Sequence, residues 1–226
     1  MMTRLRGLLR QAAFLLMGDA AKKKFSEIYR GNVFGNRESR SGVGSSIAQT
    51  ETIQRELPGL FRSLGVKILL DAPCGDFNWM RVTPMPLERY IGIDIVEELI
   101  QKNISEHTTP AREFRCLDIS SDPLPRADLI LCRDCLVHLP YNQVRAVLGN
   151  FLRSGSTYLL TTTFSDLPKN AELSWGIIWR PLNLQLPPFD FPPPLVLINE
   201  GCTEENGRFR DKCLGLWKLS DLRIAG

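Results

Sequence analysis

Short apolar runs alternate with amphipathic stretches through the middle of the chain. The amphipathic stretches 96–102 and 141–152 place apolar residues at helical spacing, whereas the runs between them have the length of buried strands. This alternation predicts an α/β fold with a seven-stranded, mostly parallel sheet flanked by helices. Strands are expected at 66–70, 90–93, 114–117, 129–132, 158–163, 195–198 and 213–219.

An N-terminal arm precedes this pattern. Residues 1–62 are interpreted as a helical arm and residues 63–226 as the main body of a single compact domain. Helices are expected near Lys22–Tyr29 and over 49–64, where Ile53 and Leu57 begin an apolar stripe. A Gly- and Ser-rich turn region lies between the two helices.

Residues 165–194 interrupt the alternation of predicted strands and helices. Six prolines in the second half of this segment exclude a regular helix there. A long irregular segment in a compact domain is usually a lid or a binding loop, so we expect Trp179, Arg180 and Asn183 to bind a polar substrate. Two alternatives stay open: Arg180 forms a surface ion pair, and the aromatic residues close one face of the sheet. Those aromatic residues are Trp175, Trp179, Phe189 and Phe191.

Acidic residues follow the first three predicted strands. Asp71 begins the sequence Asp-Ala-Pro-Cys-Gly after the first strand, and Gly75 stands where a tight turn needs no side chain. Asp94 ends the second strand, where a carboxylate accepts both hydroxyl hydrogens of an adenosyl ribose. Asp118 follows the third strand, where it is able to accept a hydrogen bond from an adenine amino group.

The ordered acids at 71, 94 and 118 resemble the cofactor site of class I S-adenosylmethionine-dependent methyltransferases. Residues 127–140 resemble the fourth motif of that family, and the resemblance covers about residues 63–164. It implies a Rossmann-like fold, S-adenosyl-L-methionine as cofactor and methyl transfer as the reaction. The cofactor-binding residues that it implies are Asp71, Ala72, Pro73, Cys74, Gly75, Asp94, Ile95, Asp118, Ile119 and Arg133.

The loop after the first strand departs from the family's usual pattern. Pro73 and Phe77 stand where that loop has glycines, so Gly75 alone remains. The form Asp-x-Pro-Cys-Gly-Asp-Phe, followed by Trp79, resembles a bacterial branch of the family. Members of that branch are also similar to this chain around residues 41–46.

Two residues just beyond the fourth strand are candidates for catalysis. If the acceptor is a hydroxyl group, a side chain must take its proton, and Asp134 and His138 are the candidates that the motifs offer. The alternative for His138 is packing near the start of the following helix. The acceptor is expected to be a small molecule or a glycan, with O-methylation favoured and the oligomeric state left open.

Other functions fit the sequence less well. A nicotinamide-dependent dehydrogenase requires Gly-x-Gly-x-x-Gly, which is missing here. Asp-Ala-Pro-Cys resembles the nucleophile motif of RNA cytosine-5 methyltransferases, but here it follows the first strand, so Cys74 is expected to be a turn residue. A nucleic-acid methyltransferase remains an alternative, although only the arm is basic. A non-enzymatic cofactor-binding or assembly protein is the alternative from another class.

The charge distribution and the cysteine content say less about the function. Residues 1–40 carry nine Lys or Arg against three Asp or Glu, in a chain of net charge +3. Residues 1–18 have an amphipathic pattern, which predicts a helix that packs on the domain or lies on an anionic membrane surface. Cys132 and Cys135 form a CxxC, but the remaining cysteines are spaced too widely for zinc, so no metal is expected. A reduced, cytoplasmic location is favoured.

Overall fold

The computed structural model describes residues 20–34, 36–173 and 178–224. Within these ranges seven strands form one sheet in the order β3-β2-β1-β4-β5-β7-β6. Strand β7 is antiparallel to β5 and to β6, and the other neighbouring pairs are parallel. The predicted seven-stranded, mostly parallel sheet is therefore confirmed. The strands are β1 (Ile68–Asp71), β2 (Arg89–Asp94), β3 (Arg112–Cys116), β4 (Leu129–Cys132), β5 (Tyr158–Phe164), β6 (Val196–Asn199) and β7 (Lys212–Lys218).

Helices flank the sheet. A helix that includes residues 20–30 is named α1. It is followed by α2 (Glu51–Leu64), α3 (Glu97–His107), α4 (Tyr141–Arg153) and a single short turn, α5 (Glu204–Gly207). Helix α2 ends at Gly65, which adopts the left-handed conformation of a helix C-cap at φ 66°.

The inner strands of the sheet are buried on both faces. Leu70 packs in one apolar cluster with α4, and its neighbour Leu69 packs in a second cluster with α2. Successive side chains of a strand point to opposite faces, so a strand covered on both sides is apolar throughout. This explains the continuous apolar runs in the sequence. Because α2 belongs to the second cluster, the boundary expected after residue 62 falls within the last turn of a helix of the core.

The segment between β5 and β6 is irregular but well anchored. Its described residues, 165–173 and 178–194, contain neither helix nor strand, as the prolines predicted. Phe189 and Phe191 are buried in the cluster on the α4 face, where Phe191 lies edge-to-face on Trp217. These two aromatic residues therefore cover one face of the sheet. Trp175 lies outside the described residues.

The N-terminal prediction is not addressed by this structure. The helix expected over residues 1–18 lies outside the described residues. Among the helices that are described, none combines the length and the apolar character that a membrane crossing requires.

Candidate functional site

The acids that follow the first three strands meet around one cavity. Asp71, Asp94 and Asp118 all line it, together with Gly75 from the loop after β1. The carboxyl ends of parallel strands meet at one edge of a sheet, so residues far apart in sequence become neighbours there. The cavity lining also includes Pro73, Cys74, Ile95, Ile119, Arg133, Asp134 and His138.

Backbone contacts fix the loop between β1 and the cavity. The amide of Cys74 donates to the carbonyl of Ile93 at 2.8 Å, and the Asn103 side chain donates to the carbonyl of Gly75 at 2.8 Å. Gly75 adopts the left-handed conformation at φ 54°, which a residue without Cβ reaches at no steric cost. Ala72 is fully buried, and its amide donates to Leu131 at 2.8 Å.

Asp94 is buried and accepts two backbone hydrogen bonds. Oδ2 accepts from the amide of Gly75 at 3.2 Å, and Oδ1 accepts from the amide of Val96 at 3.0 Å. A carboxylate offers about four lone-pair sites, so both oxygens retain the capacity for a ligand hydroxyl. Burial raises the pKa of Asp94 to about 6.

Asp71 lies deeper. The hydroxyl of Tyr90 donates to its Oδ2 at 2.6 Å. Burial raises the pKa of Asp71 to about 7, against the opposing effect of the hydrogen bond from Tyr90. A nearby positive charge on a ligand would therefore favour the ionised form of this carboxyl group.

Asp118 has one satisfied and one unsatisfied carboxylate oxygen. Oδ1 accepts from the amide and the hydroxyl of Ser120, at 2.8 Å and 2.7 Å. Oδ2 is buried and has no hydrogen-bond partner among the residues that the structure describes. A buried acceptor without a partner is costly, so a donor on a ligand would stabilise this arrangement.

The arm is fixed to the loop after β1 by Asp76. This side chain accepts hydrogen bonds from the hydroxyl of Ser39 at 3.0 Å and from the amide of Arg40 at 2.7 Å. The hydroxyl of Ser41 lies so close to Gly75 that a Cβ on Gly75 would come within 2.4 Å of it. The arm therefore forms one wall of the cavity. In the sequence, the only sign of this contact is that residues 41–46 and the loop after β1 both resemble the same branch of one family.

A network of four charges, three of them buried, lies beyond the end of β4. Arg133 and Lys212 supply the positive charges, and Asp134 and Glu200 supply the negative ones. Arg133 contacts Glu200 at 2.6 Å, and Lys212 contacts Asp134 at 2.6 Å and Glu200 at 3.5 Å. Arg133 also donates to the carbonyl of Gly44 at 2.8 Å, which ties the arm to this network. Sequence analysis missed Glu200 and Lys212, because no short motif connects them with β4.

The network determines the ionisation state of Asp134. Burial raises the pKa of this carboxyl group, but Lys212 and Arg133 outweigh burial and lower it to about 2. Asp134 is therefore an ionised, ion-paired anchor near neutral pH, which disfavours its predicted role as a proton acceptor.

His138 has the geometry of a neutral base. Its Nδ1 lies 2.6 Å from the carbonyl oxygen of Ile178. A carbonyl only accepts hydrogen bonds, so Nδ1 carries the proton in the neutral ring and Nε2 keeps its lone pair. Burial lowers the pKa of His138, which favours this neutral form. The ring also packs against Phe34, with 5.3 Å between the ring centroids.

Arg180 and Asn183 do not have the placement expected for substrate-binding residues. Both are buried, and neither lines this cavity or a second cavity beside it. The Asn183 amide donates to Ser165 at 3.3 Å. The guanidinium of Arg180 is instead occupied by backbone carbonyls. Those carbonyls belong to Leu136, Val137, Leu139 and Ala171, at 2.7–3.1 Å. The guanidinium also lies 4.0 Å from the exposed Glu172 carboxylate, so the alternative of an ion pair is met, but by a buried arginine and not at the surface.

Trp179 is half-buried and lines the second cavity, which shares Asp134 and His138 with the first. Its placement is compatible with contact to a substrate.

Cys74 is buried, and burial raises the pKa of its thiol well above the usual value. The thiol form is therefore favoured, which disagrees with a role as a nucleophile.

The fold is the Rossmann-like fold of solved S-adenosylmethionine-dependent methyltransferases. One such structure is the N-methyltransferase NodS from Bradyrhizobium japonicum WM9 in complex with S-adenosyl-L-homocysteine. It matches with a TM-score of 0.57 at 15% identity, over 85% of this chain and 98% of that chain. A second NodS structure matches with a TM-score of 0.51 at 15% identity, over 73% of this chain and 95% of that chain.

Other matches are partial. Magnesium protoporphyrin IX methyltransferase from Synechocystis PCC 6803 gives a TM-score of 0.43 at 13% identity, over 54% of this chain and 58% of that chain. The chain thus spans little more than half the length of that enzyme. No protein-family model matches the sequence. Comparison with curated proteins also gives no match. At these identities the likeness establishes the fold alone.

Proposed function

We propose that this protein is an S-adenosylmethionine-dependent methyltransferase that methylates a hydroxyl group of a small polar molecule or glycan. The observation that carries the proposal is the meeting of Asp71, Asp94 and Asp118 around one cavity at the carboxyl edge of the sheet. NodS, which has the same fold, was crystallised with S-adenosyl-L-homocysteine.

The described residues fit the cofactor chemically. The two oxygens of Asp94 are suited to the ribose hydroxyls, and the unpaired Oδ2 of Asp118 is suited to the adenine amino group. The apolar side chains of Ile95 and Ile119 line the same cavity and are suited to the faces of the adenine ring. Asp71 would favour the positive charges of the methionine part.

The cofactor supplies a methyl group that is already activated on a positively charged sulfur atom. The protein then has to hold the acceptor oxygen in line with that methyl group, and such positioning contributes at most about 7–11 kcal/mol. His138 would take the hydroxyl proton on Nε2 as the acceptor oxygen forms its bond to the methyl carbon, and the bound cofactor would supply the leaving group, because its sulfur would keep the electron pair of the broken bond. Asp134 does not take the proton, because it stays ionised beside Lys212.

A transfer assay tests this function. Purified protein is incubated with methyl-labelled S-adenosylmethionine and an extract of the cells from which the sequence derives. We expect label in a small-molecule or glycan fraction, and its loss in a folded Asp94→Ala variant. Cofactor binding without transfer would contradict the enzymatic function and favour a binding protein. Failure to bind the cofactor would contradict the whole proposal.

A further inference from the structure

The second cavity brings together residues that the sequence motifs do not connect. Gly44 reaches it from the arm, Trp179 from the segment after β5, Glu204 and Phe209 from the connection between β6 and β7, and Lys212 from the start of β7. The second cavity shares Asp134 and His138 with the first cavity, which we assign to the cofactor. A molecule bound here would therefore lie against His138 on one side and face the cofactor cavity.

One wall of this cavity is aromatic. Trp179 and Phe209 lie edge-to-face, with 4.9 Å between their centroids and 70° between their planes. Both rest on the fully buried ring of Phe164, at 5.9 Å and 6.0 Å. Because Phe164 holds them in place and both are only half-buried, they present a fixed apolar surface to a ligand.

Of the three carboxylates in the lining, Glu204 is the one without an ion-pair partner among the described residues. Asp134 is neutralised by Lys212 and Arg133, and Glu205 pairs with Arg208 at 2.9 Å. Within the described part of the chain, no Lys or Arg nitrogen lies within 4.0 Å of the Glu204 carboxylate. A phosphate or carboxylate group on a ligand would therefore be repelled, whereas a hydroxyl group is able to donate to Glu204.

The arm leaves room for this carboxylate. A Cβ on Gly44 would come within 3.1 Å of Glu204 Oε1 and within 3.2 Å of Asp134 Oδ2. The backbone of the arm therefore passes directly against both carboxylates, and Arg133 fixes it there through the carbonyl of Gly44. Glu204 is held next to the site of the proposed reaction rather than in open solvent.

We propose that the second cavity is the acceptor site and that it binds an uncharged, polyhydroxylated ring such as a sugar. The ring lies on Trp179 and Phe209, one hydroxyl donates to Glu204, and the hydroxyl to be methylated points toward His138. Glu204 orients the acceptor and excludes anionic ones. This inference rests on the proposed methyltransferase function and adds the chemical class of its substrate.

The first test measures the charge of the acceptor. The cell extract is separated by ion exchange into anionic, cationic and uncharged small-molecule fractions, each of which is offered with labelled S-adenosylmethionine. Label in the uncharged fraction is the expected result. Label confined to the anionic or the cationic fraction overturns the proposal, as does binding of S-adenosyl-L-homocysteine with no fraction labelled.

The second test measures the role of Glu204 with the fraction that accepts label. Glu204→Gln is expected to raise the KM for that fraction at least fivefold, with an unchanged affinity for S-adenosyl-L-homocysteine. Glu88→Gln removes the same charge from an exposed pair with Lys67 and is expected to change neither quantity. An unchanged KM in Glu204→Gln overturns the assignment of the site. If the parent protein does not bind S-adenosyl-L-homocysteine at all, the proposed function itself is refuted.

Discussion

The carbonyl oxygen of Ile178 lies 2.6 Å from Nδ1 of His138 and thereby decides which nitrogen of the ring is able to take a proton. Ile178 belongs to the irregular segment after β5, and His138 follows β4. The contact therefore joins two elements that parallel strands place side by side at the same edge of the sheet. Sequence analysis left two roles open for His138, packing and catalysis. This contact favours the catalytic role that we propose, in which Nε2 is the proton acceptor.

Replacement of His138 tests that role. His138→Gln is expected to lower kcat about a hundredfold, the usual scale for loss of a general base, and to remove the acidic limb of the kcat–pH profile. The affinity for S-adenosyl-L-homocysteine should stay within about twofold of the parent value. His107→Gln, at the chain's other histidine, serves as the control. A variant that loses stability but keeps its kcat would favour the packing role.

Asp94 should contribute to cofactor binding. Asp94→Ala is expected to weaken the binding of S-adenosyl-L-homocysteine by about 1.5–3 kcal/mol, the range for hydrogen bonds to a charged group. Isothermal titration calorimetry measures this directly. Asp94→Asn keeps one acceptor oxygen and should lose less affinity than Asp94→Ala. Unchanged affinity in a folded Asp94→Ala variant would refute the assignment.

Cofactor binding should depend on pH in one direction. The pKa values of Asp94 and Asp71 are raised to about 6 and about 7 in the free protein, and a donating ligand favours the ionised forms. Affinity for S-adenosyl-L-homocysteine should therefore fall as pH is lowered from 8 to 5, and level off above about 7. In Asp94→Asn the part of this change near pH 6 should disappear. A flat profile for the parent protein contradicts the prediction.

Gly65 provides a control for a substitution at Gly75. Both have left-handed backbones, at φ 54° and φ 66°, but a Cβ on Gly65 meets nothing within 4 Å, whereas one on Gly75 meets Ser41. Gly65→Ala is expected to cost about 1 kcal/mol of unfolding free energy through backbone strain alone. Gly75→Ala should also displace the arm and weaken S-adenosyl-L-homocysteine binding at least tenfold. Equal effects of the two variants on binding would show that the Ser41 contact is unimportant.

Arg180 should stabilise the fold rather than bind substrate. Arg180→Ala leaves several buried carbonyls without a donor, which is expected to lower the unfolding free energy by about 3 kcal/mol. Urea denaturation measures the loss. Arg208→Ala removes an exposed arginine and should cost about 0.5 kcal/mol or less. A stable Arg180→Ala variant with impaired turnover would restore its role as a substrate-binding residue.

The sequence by itself determined the strands and the acids that follow them. Continuous apolar runs specify the inner strands, which are buried on both faces, and all seven strands appear within one or two residues of their predicted ends. Asp71, Asp94 and Asp118 could be found because the first two end their strands and the third follows its strand by two residues. Parallel strands then bring their ends to one edge whatever the remaining packing is.

Only the tertiary structure decided how residues distant in the chain are paired. Glu200 and Lys212 lie 67 and 79 residues from Arg133, and their ion pairs depend on the place of β6 and β7 in the sheet. The same contacts hold Asp134 ionised, whereas the sequence presented it as a candidate base. Arg180 likewise has no local signal for burial, since its partners are backbone carbonyls that the fold brings to it. Local pattern thus specifies elements and their ends, whereas burial and charge pairing arise only when the chain is packed.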